Sequence, residues 1–420
     1  MWVVELRPFR KLRYKLARID DISRVVTLPY DIITPEKQEE YYRLSPYNIV
    51  RLILAKDEPQ DGEDGKYERV KRQLDSWMRD GILVEDEKEA LYIYEEDYPF
   101  EGKRHRRAGI VGLVKLEPFE KGVILPHENV LEKPLKDRFK LLKATRAHLE
   151  MIIGLFPDRG GTAASVMGKY MRERPQLDFV HGDDIRHRVW KITERADIEA
   201  LAGNLKDNNI IIADGHHRYT TALRLSQETK KPGDGYIMML LWPMDDNLRV
   251  LPTHRVLRNI PGRGDMAAKI SGAFDVKPVK GGLDELLTAL AKSQKGSFGM
   301  YDGQYRLLIL KDKKLLEATR DGGKTDAWNN LDVNILQNLL ITRVLGVDYR
   351  AAADSGDLAF VKDAMKAVKK VYTGEYEAAF FLNPTSIGEI HATAKAGERM
   401  PEKSTYFYPK PLSGILMCRL

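Results

Sequence analysis

The chain has 420 residues, 43% of them hydrophobic and 31% charged, which is ordinary globular composition and not that of a disordered, collagenous or disulfide-scaffolded protein. Its single cysteine, Cys418, excludes an internal disulfide and every cysteine-based zinc or iron–sulfur centre, so a reducing cytoplasm is the expected compartment. Against 62 acidic residues stand 68 Lys and Arg, a net charge of +6 that is too modest over this length to choose between nucleic acid, phosphate ligands and plain solubility.

Residues 1–8 hold Glu5 and Pro8 where a secretory signal needs an apolar run, and no later segment is apolar for long enough to span a bilayer, so no membrane association is expected. Residues 1–24 carry seven basic side chains (Arg7, Arg10, Lys11, Arg13, Lys15, Arg18, Arg24) against three acids. A solvated face is the plain reading of that run, and a phosphate-binding arm the alternative. Residues 28–36 end in a helix start, with Thr34 as N-cap and Pro35 at the first helical position. A polar loop over 56–65 precedes a predicted helix over 67–80 and strands over 91–94 and 109–116. An apolar run from Val123 ends at His127-Glu128, followed by Lys133, Lys136-Asp137-Arg138 and a predicted helix over 137–149. Then come predicted strands over 151–156, 209–213, 236–241 and 305–310, with helices over 162–172, 196–205, 216–228, 283–293 and 332–344. The alternation implies mixed α and β structure in three regions, 1–104, 105–261 and 262–420, with a break at Pro261-Gly262-Arg263-Gly264.

The common enzyme motifs fail. Gly323-Lys324-Thr325 has the tail of a phosphate-binding P-loop, but its first glycine is replaced by Ala318; His127-Glu128 begins a zinc-protease helix, but Leu131 stands where the second histidine belongs. Neither a dinucleotide fingerprint nor a nucleophile elbow is present.

Residues 208–223 are more informative. Three isoleucines and Ala213 make a buried strand, Asp214-Gly215 a sharp turn, and Tyr219, Ala222 and Leu223 a helical apolar face. The first N–H groups of such a helix lack intrahelical partners and its macrodipole is positive there, so an anion is favoured. Gly215 allows a phosphate close to the main chain, and Arg218 offers paired donors. His216 and His217 are about 100° apart on the helix and should not chelate one metal together; one can face a ligand while the other packs. An Asp cap followed by surface histidines is the plainer reading. At the end of the 123–126 run, Glu128 could take a proton from a hydroxyl nucleophile, or simply be a solvated turn residue. Thr253, His254 and Arg255 could add phosphate contacts or merely form a loop, and residues 397–410 could fold back as a closing loop or act as a lid lending Lys403 or Lys410 to an anion.

Jointly, Arg7-Pro8-Phe9, Pro29-Tyr30-Asp31, Pro126-His127-Glu128, the Ala213–Tyr219 block, Leu251–Arg255 and Met400-Pro401 to Pro409-Lys410 resemble the family described as domain of unknown function 1015, over nearly the whole chain. The Asp-Gly-His-His-Arg block is also similar to the signature turn of free-serine kinases built on the ParB/sulfiredoxin fold. That resemblance implies an α+β protein whose core, residues 105–261, is ParB/sulfiredoxin-like, with N- and C-terminal α/β regions added. It further implies ATP or ADP with Mg²⁺; phosphate contacts from Gly215, His216, Arg218 and Thr220, joined by His254 and Arg255; and catalytic roles for Glu128 as base, Asp214 and His217. The expected activity is phosphoryl transfer to a small hydroxyl compound, free L-serine being the single best guess, with the oligomeric state open. Two rivals stand beside it. A ParB-like nucleic-acid module would need a clustered basic face, against which the scattered Lys and Arg argue, and a metal-dependent hydrolase would use His216, His217, Asp214 and Glu128.

Overall fold

Isoleucine, valine and leucine runs flanked by turn residues become strands wherever both faces can be covered, and the longest such set lies between residues 91 and 243. The computed structural model describes residues 3–129, 132–245 and 247–420, and the side chains of Lys133 and Asp265 lie outside the description. Contacts group the chain into two compact units: Met1–Pro126 with Val130–Arg249 and Pro409–Leu420, and His127–Asn129 with Val250–Tyr408. The boundary expected near 104 falls inside a β-hairpin, and that near 261 falls within the second unit.

Among the described residues the first unit holds a nine-stranded mixed sheet made of β1 (Leu6–Arg7), β2 (Leu91–Phe100), β3 (Lys103–Lys115), β4 (Ile124–Pro126), β5 (Ile152–Phe156), β6 (Leu177–His181), β7 (Ile185–Ile192), β8 (Ile210–Asp214) and β9 (Tyr236–Pro243). The order is β4–β8–β5–β9–β3–β2–β7–β6, with β1 added beside β3. β4 and β8 are parallel, Pro126 opposite Ile212, so the chain leaves both strands in the same direction. Helices α1 (Gly65–Arg79), α2 (Glu132–Thr145), α3 (Thr162–Tyr170), α4 (Arg195–Lys206) and α5 (His216–Thr229) accompany the sheet. Ile152, Phe156, Ile210, Ile212, Tyr219, Leu225 and Leu241 belong to one buried cluster, each contributing about 1.5–3 kcal/mol by leaving water.

Most predicted elements are present within a few residues, including the Thr34 cap, whose hydroxyl accepts from Lys37 N at 3.3 Å. Four differ. The strand expected over 91–94 continues to Phe100 and its partner, expected over 109–116, begins at Lys103, because Glu96 is neutralised inside the sheet by Arg107 at 2.5 Å. The helix expected over 137–149 runs over 132–145 instead: Pro134 is tolerated in a first turn, and Arg146 turns left-handed (φ 51°) so that Ala147-His148 can pair with Cys418-Arg419. The helix expected over 332–344 is π-wound from Ile335 to Val344.

The second unit contains an antiparallel sheet of β10 (His254–Leu257), β11 (Phe274–Pro278), β12 (Ser297–Tyr301), β13 (Tyr305–Leu310), β14 (Leu358–Val361) and β15 (Ala378–Phe381), in the order β11–β13–β12–β15–β10–β14. Leu286, Leu290, Val368 and Phe381 form part of its core. The Gly323-Lys324-Thr325 tail is a helix cap, Thr325 Oγ1 accepting from Trp328 N at 3.3 Å. Among the described residues no helix is long and apolar enough to cross a membrane.

Candidate functional site at the Asp214–Arg218 turn

β8 delivers Asp214 to the sheet end through a register shift between Ile212 and Asp214. Gly215 then turns the chain at φ 95°, ψ 27°, a left-handed conformation that side-chain-bearing residues adopt only at a cost, and α5 starts at His216 without a side-chain cap. A Cβ on residue 215 would stand 3.1 Å from both Arg218 Nη2 and Ile152 Cγ1. The strand, turn and helix expected over 208–223 are therefore in place.

The Asp214 carboxylate lies between two cations. Arg218 Nη2 donates to Oδ2 at 2.7 Å, and the Lys410 ammonium donates to Oδ1. All three side chains are nearly buried. Burial alone would push the Asp214 pKa up, but Lys410 and then Arg218 outweigh it and hold the carboxyl well below its ordinary range. Arg218 also donates through Nη1 to the Met151 carbonyl at 2.7 Å. Burial works against its charge, yet Glu150, Asp214, Asp31 and Tyr30 keep its pKa raised.

Those last groups extend the constellation beyond the turn. Glu150 Oε1 accepts from Tyr30 N at 3.2 Å and from Ser413 Oγ at 3.0 Å, and its Oε2 stands 3.9 Å from Arg138 Nη1. The Arg138 guanidinium lies 4.0 Å from the Tyr30 ring centroid. Nothing in the sequence singles out Glu150, and for Tyr30 and Asp31 the one available signal is the occurrence of Pro29-Tyr30-Asp31 among the family-like motifs. Arg138, Glu150 and Arg218 border a void of only about 50 Å³, room for about one water.

The remaining predicted residues are distributed as follows. His216 is buried, while His217 and Thr220 are half-buried on α5. Glu128 belongs to the second unit, where its Oε1 accepts from Thr405 N at 3.1 Å and Thr405 Oγ1 at 3.0 Å. His127 Nε2 stands 2.8 Å from the same hydroxyl, and Met400 N donates to the His127 carbonyl at 2.7 Å. The His-Glu pair and the 400–405 segment thus hold each other. His254 and Arg255 are buried on β10 in the second unit: the His254 ring packs on Phe381, and Arg255 donates to Tyr349 Oη at 3.1 Å and to the Thr253 carbonyl. Within one unit the structure brings together Asp214, Gly215, His216, His217, Arg218 and Thr220, and adds Lys410 to them.

The sequence profile of a family described as "Protein of unknown function (DUF1015)" matches residues 6–334. The chain belongs to that family. This DUF1015 member finds no match among curated proteins. It is similar to a solved structure titled "Free serine kinase in complex with AMP", at 12% identity over 70% of this chain and 86% of that one, with a TM-score of 0.36. A conserved hypothetical protein from Pyrococcus furiosus gives 12% identity over 70% and 89%, TM-score 0.34. SbnI with a C-terminal truncation, from Staphylococcus aureus, gives 11% over 72% and 85%, TM-score 0.35.

Proposed function

We propose that this DUF1015 member is a nucleotide-dependent phosphotransferase acting on a small hydroxyl compound, with free L-serine as the first acceptor to try. The observation that carries the reading is the pairing of two nearly buried cations, Lys410 and Arg218, with one carboxylate beside the uncapped N-terminus of a 14-residue helix. Two cations converge on the turn, and the helix end adds a partial positive charge, so a phosphate is the ligand such a turn favours. Phosphoryl transfer asks little covalent chemistry of the protein, mainly charge stabilisation and positioning. The motif resemblance of Asp214–Arg218 to the turn of free-serine kinases supports the same reading.

In this reading the turn binds the nucleotide phosphates through Gly215 N–H and the helix N-terminus, Lys410 and Arg218 offset charge developing on the transferred group, and Glu128 accepts the proton of the hydroxyl. Glu128 is assigned as base on the motif resemblance alone. Asp214 does not fit as a ligand for Mg²⁺, because each of its oxygens already accepts from a cation. For the same reason the hydrolase alternative loses Asp214, one of the two carboxylates it would use.

Calorimetric titration of the full chain with AMP, ADP and ATP tests the reading. Binding of at least one is expected, with turnover on serine falling roughly 10²–10⁴-fold in Glu128→Gln while nucleotide affinity persists. Absence of binding by all three would reject the phosphate site, and an unchanged rate in Glu128→Gln would reject the base.

A further inference from the structure

The basic run near the N-terminus does not lie wholly on a solvated face. Lys11 is only 5% exposed and lines a cavity of about 650 Å³ in the first unit, within the size range of small-molecule sites. Lys191 on β7 borders it, five places along the strand order from β8, and Gly414 and Ile415 of the returning segment line it as well.

Its charges are unevenly matched. Asp86 is the one buried carboxylate on the wall; Oδ1 accepts from Arg13 Nε at 2.7 Å, and Oδ2 from Lys191 Nζ and Tyr92 Oη, each at 3.3 Å. Asp86 is thereby saturated by two cations. Glu85 at the rim is engaged by Arg10 at 3.2 Å, and Glu87 and Lys88 are exposed. The Lys11 ammonium donates to Gln176 Oε1 at 3.1 Å and stands 4.7 Å from the Tyr92 ring centroid, but no carboxylate lies within 4.0 Å of it among the described residues. Burial lowers the Lys11 pKa to about 8; Asp86 raises it, and Arg13 and Lys191 lower it further. Buried charges are normally paired, and here buried Lys11 shares Asp86 with Lys191 and the more exposed Arg13, both of which already engage it. The side-chain amide of Gln176, turned with its oxygen to Lys11, leaves two N–H donors for a ligand oxygen.

We infer that this cavity binds a small organic oxyanion, a carboxylate or a phosphate ester, whose charge pairs with Lys11 and whose oxygens take the Gln176 amide. The inference is independent of the phosphotransferase reading.

Calorimetry with malonate and with inorganic phosphate on the full chain tests it, and the two probes distinguish carboxylate from phosphate ligands. One should bind saturably and lose about tenfold or more in affinity in Lys11→Gln; a phosphate event that persists in Lys11→Gln belongs to the Asp214 turn and not to this cavity. A second measurement needs no variant: acetic anhydride labelling of each lysine in the wild-type chain, read by mass spectrometry. A bound anion that raises the Lys11 pKa by about one unit should slow labelling of Lys11 about tenfold and leave exposed Lys206, which does not line the cavity, unaffected. Failure of both probes to bind, or affinity unmoved by Lys11→Gln together with unprotected Lys11, would overturn the inference.

Discussion

Gly215 is where local conformation and chemistry meet. At φ 95° an alanine carries a left-handed cost of about 1–2 kcal/mol, and its Cβ also crowds the guanidinium that holds Asp214. Gly215→Ala is therefore expected to lower the urea midpoint and to weaken nucleotide binding together; normal stability with normal binding would show that the turn tolerates a side chain. The turn was legible because three consecutive isoleucines, Asp-Gly and a helical apolar face are local signals. Tyr30 and Glu150 were not, since nothing near either in the sequence says that Arg218 will lie within its field.

At the scale of an element, the returning segment Pro409–Leu420 ties several parts of the first unit together. Arg107 Nη2 donates to the Pro409 carbonyl at 2.7 Å, Ser413 pairs with Thr27, Met417 with Leu12 and Cys418 with His148. Lys410→Gln removes one charged hydrogen bond from Asp214 while Arg218 remains, a loss of about 1.5–3 kcal/mol. Deleting residues 409–420 is expected to cost far more, with a broadened urea transition, because Leu12 and Met417 share a buried cluster that the deletion opens. Equal effects of the two changes, measured by tryptophan fluorescence, would mean that the segment contributes only its lysine. Residues 397–410 read as a polar closing stretch, which is a matter of composition. That Lys410 ends on Asp214 is a matter of pairing across 196 residues, which no local pattern encodes.

Over the whole molecule, acid sensitivity follows from histidines folded in the neutral state. His148 in the first unit and His254 in the second both have pKa values lowered from 6.5 to about 4, chiefly by burial. Between those values the unfolded chain binds more protons than the folded one, so stability falls as pH drops, by up to about 1.4 kcal/mol per pH unit for each histidine. Asp214 acts lower: its pKa is depressed, so its contribution is present above the usual carboxylate range and is lost only in stronger acid. Unfolding free energies measured by urea titration at several pH values should slope through this window, and the slope should shrink in His148→Asn. A flat profile would show that the two rings protonate without unfolding the chain. The division into units was the least legible feature. Two stretches of the first unit are separated by the bulk of the second, and hydrophobic periodicity reports which face of an element is buried without naming its partner.

The late arrival of Lys410 also sets an order of events during synthesis. Asp214 leaves the ribosome 196 residues ahead of the lysine, with Arg218 close behind it, an interval of roughly 10–40 s at about 5–20 residues per second. Throughout that interval the nascent chain carries the turn with only its arginine as counter-charge, and Leu12 and Thr27 without the backbone partners that Met417 and Ser413 will supply. Ribosome-stalled chains ending near residue 400 should therefore be more readily cleaved by protease within the first unit than chains extended past Leu420 by a linker that fills the exit tunnel.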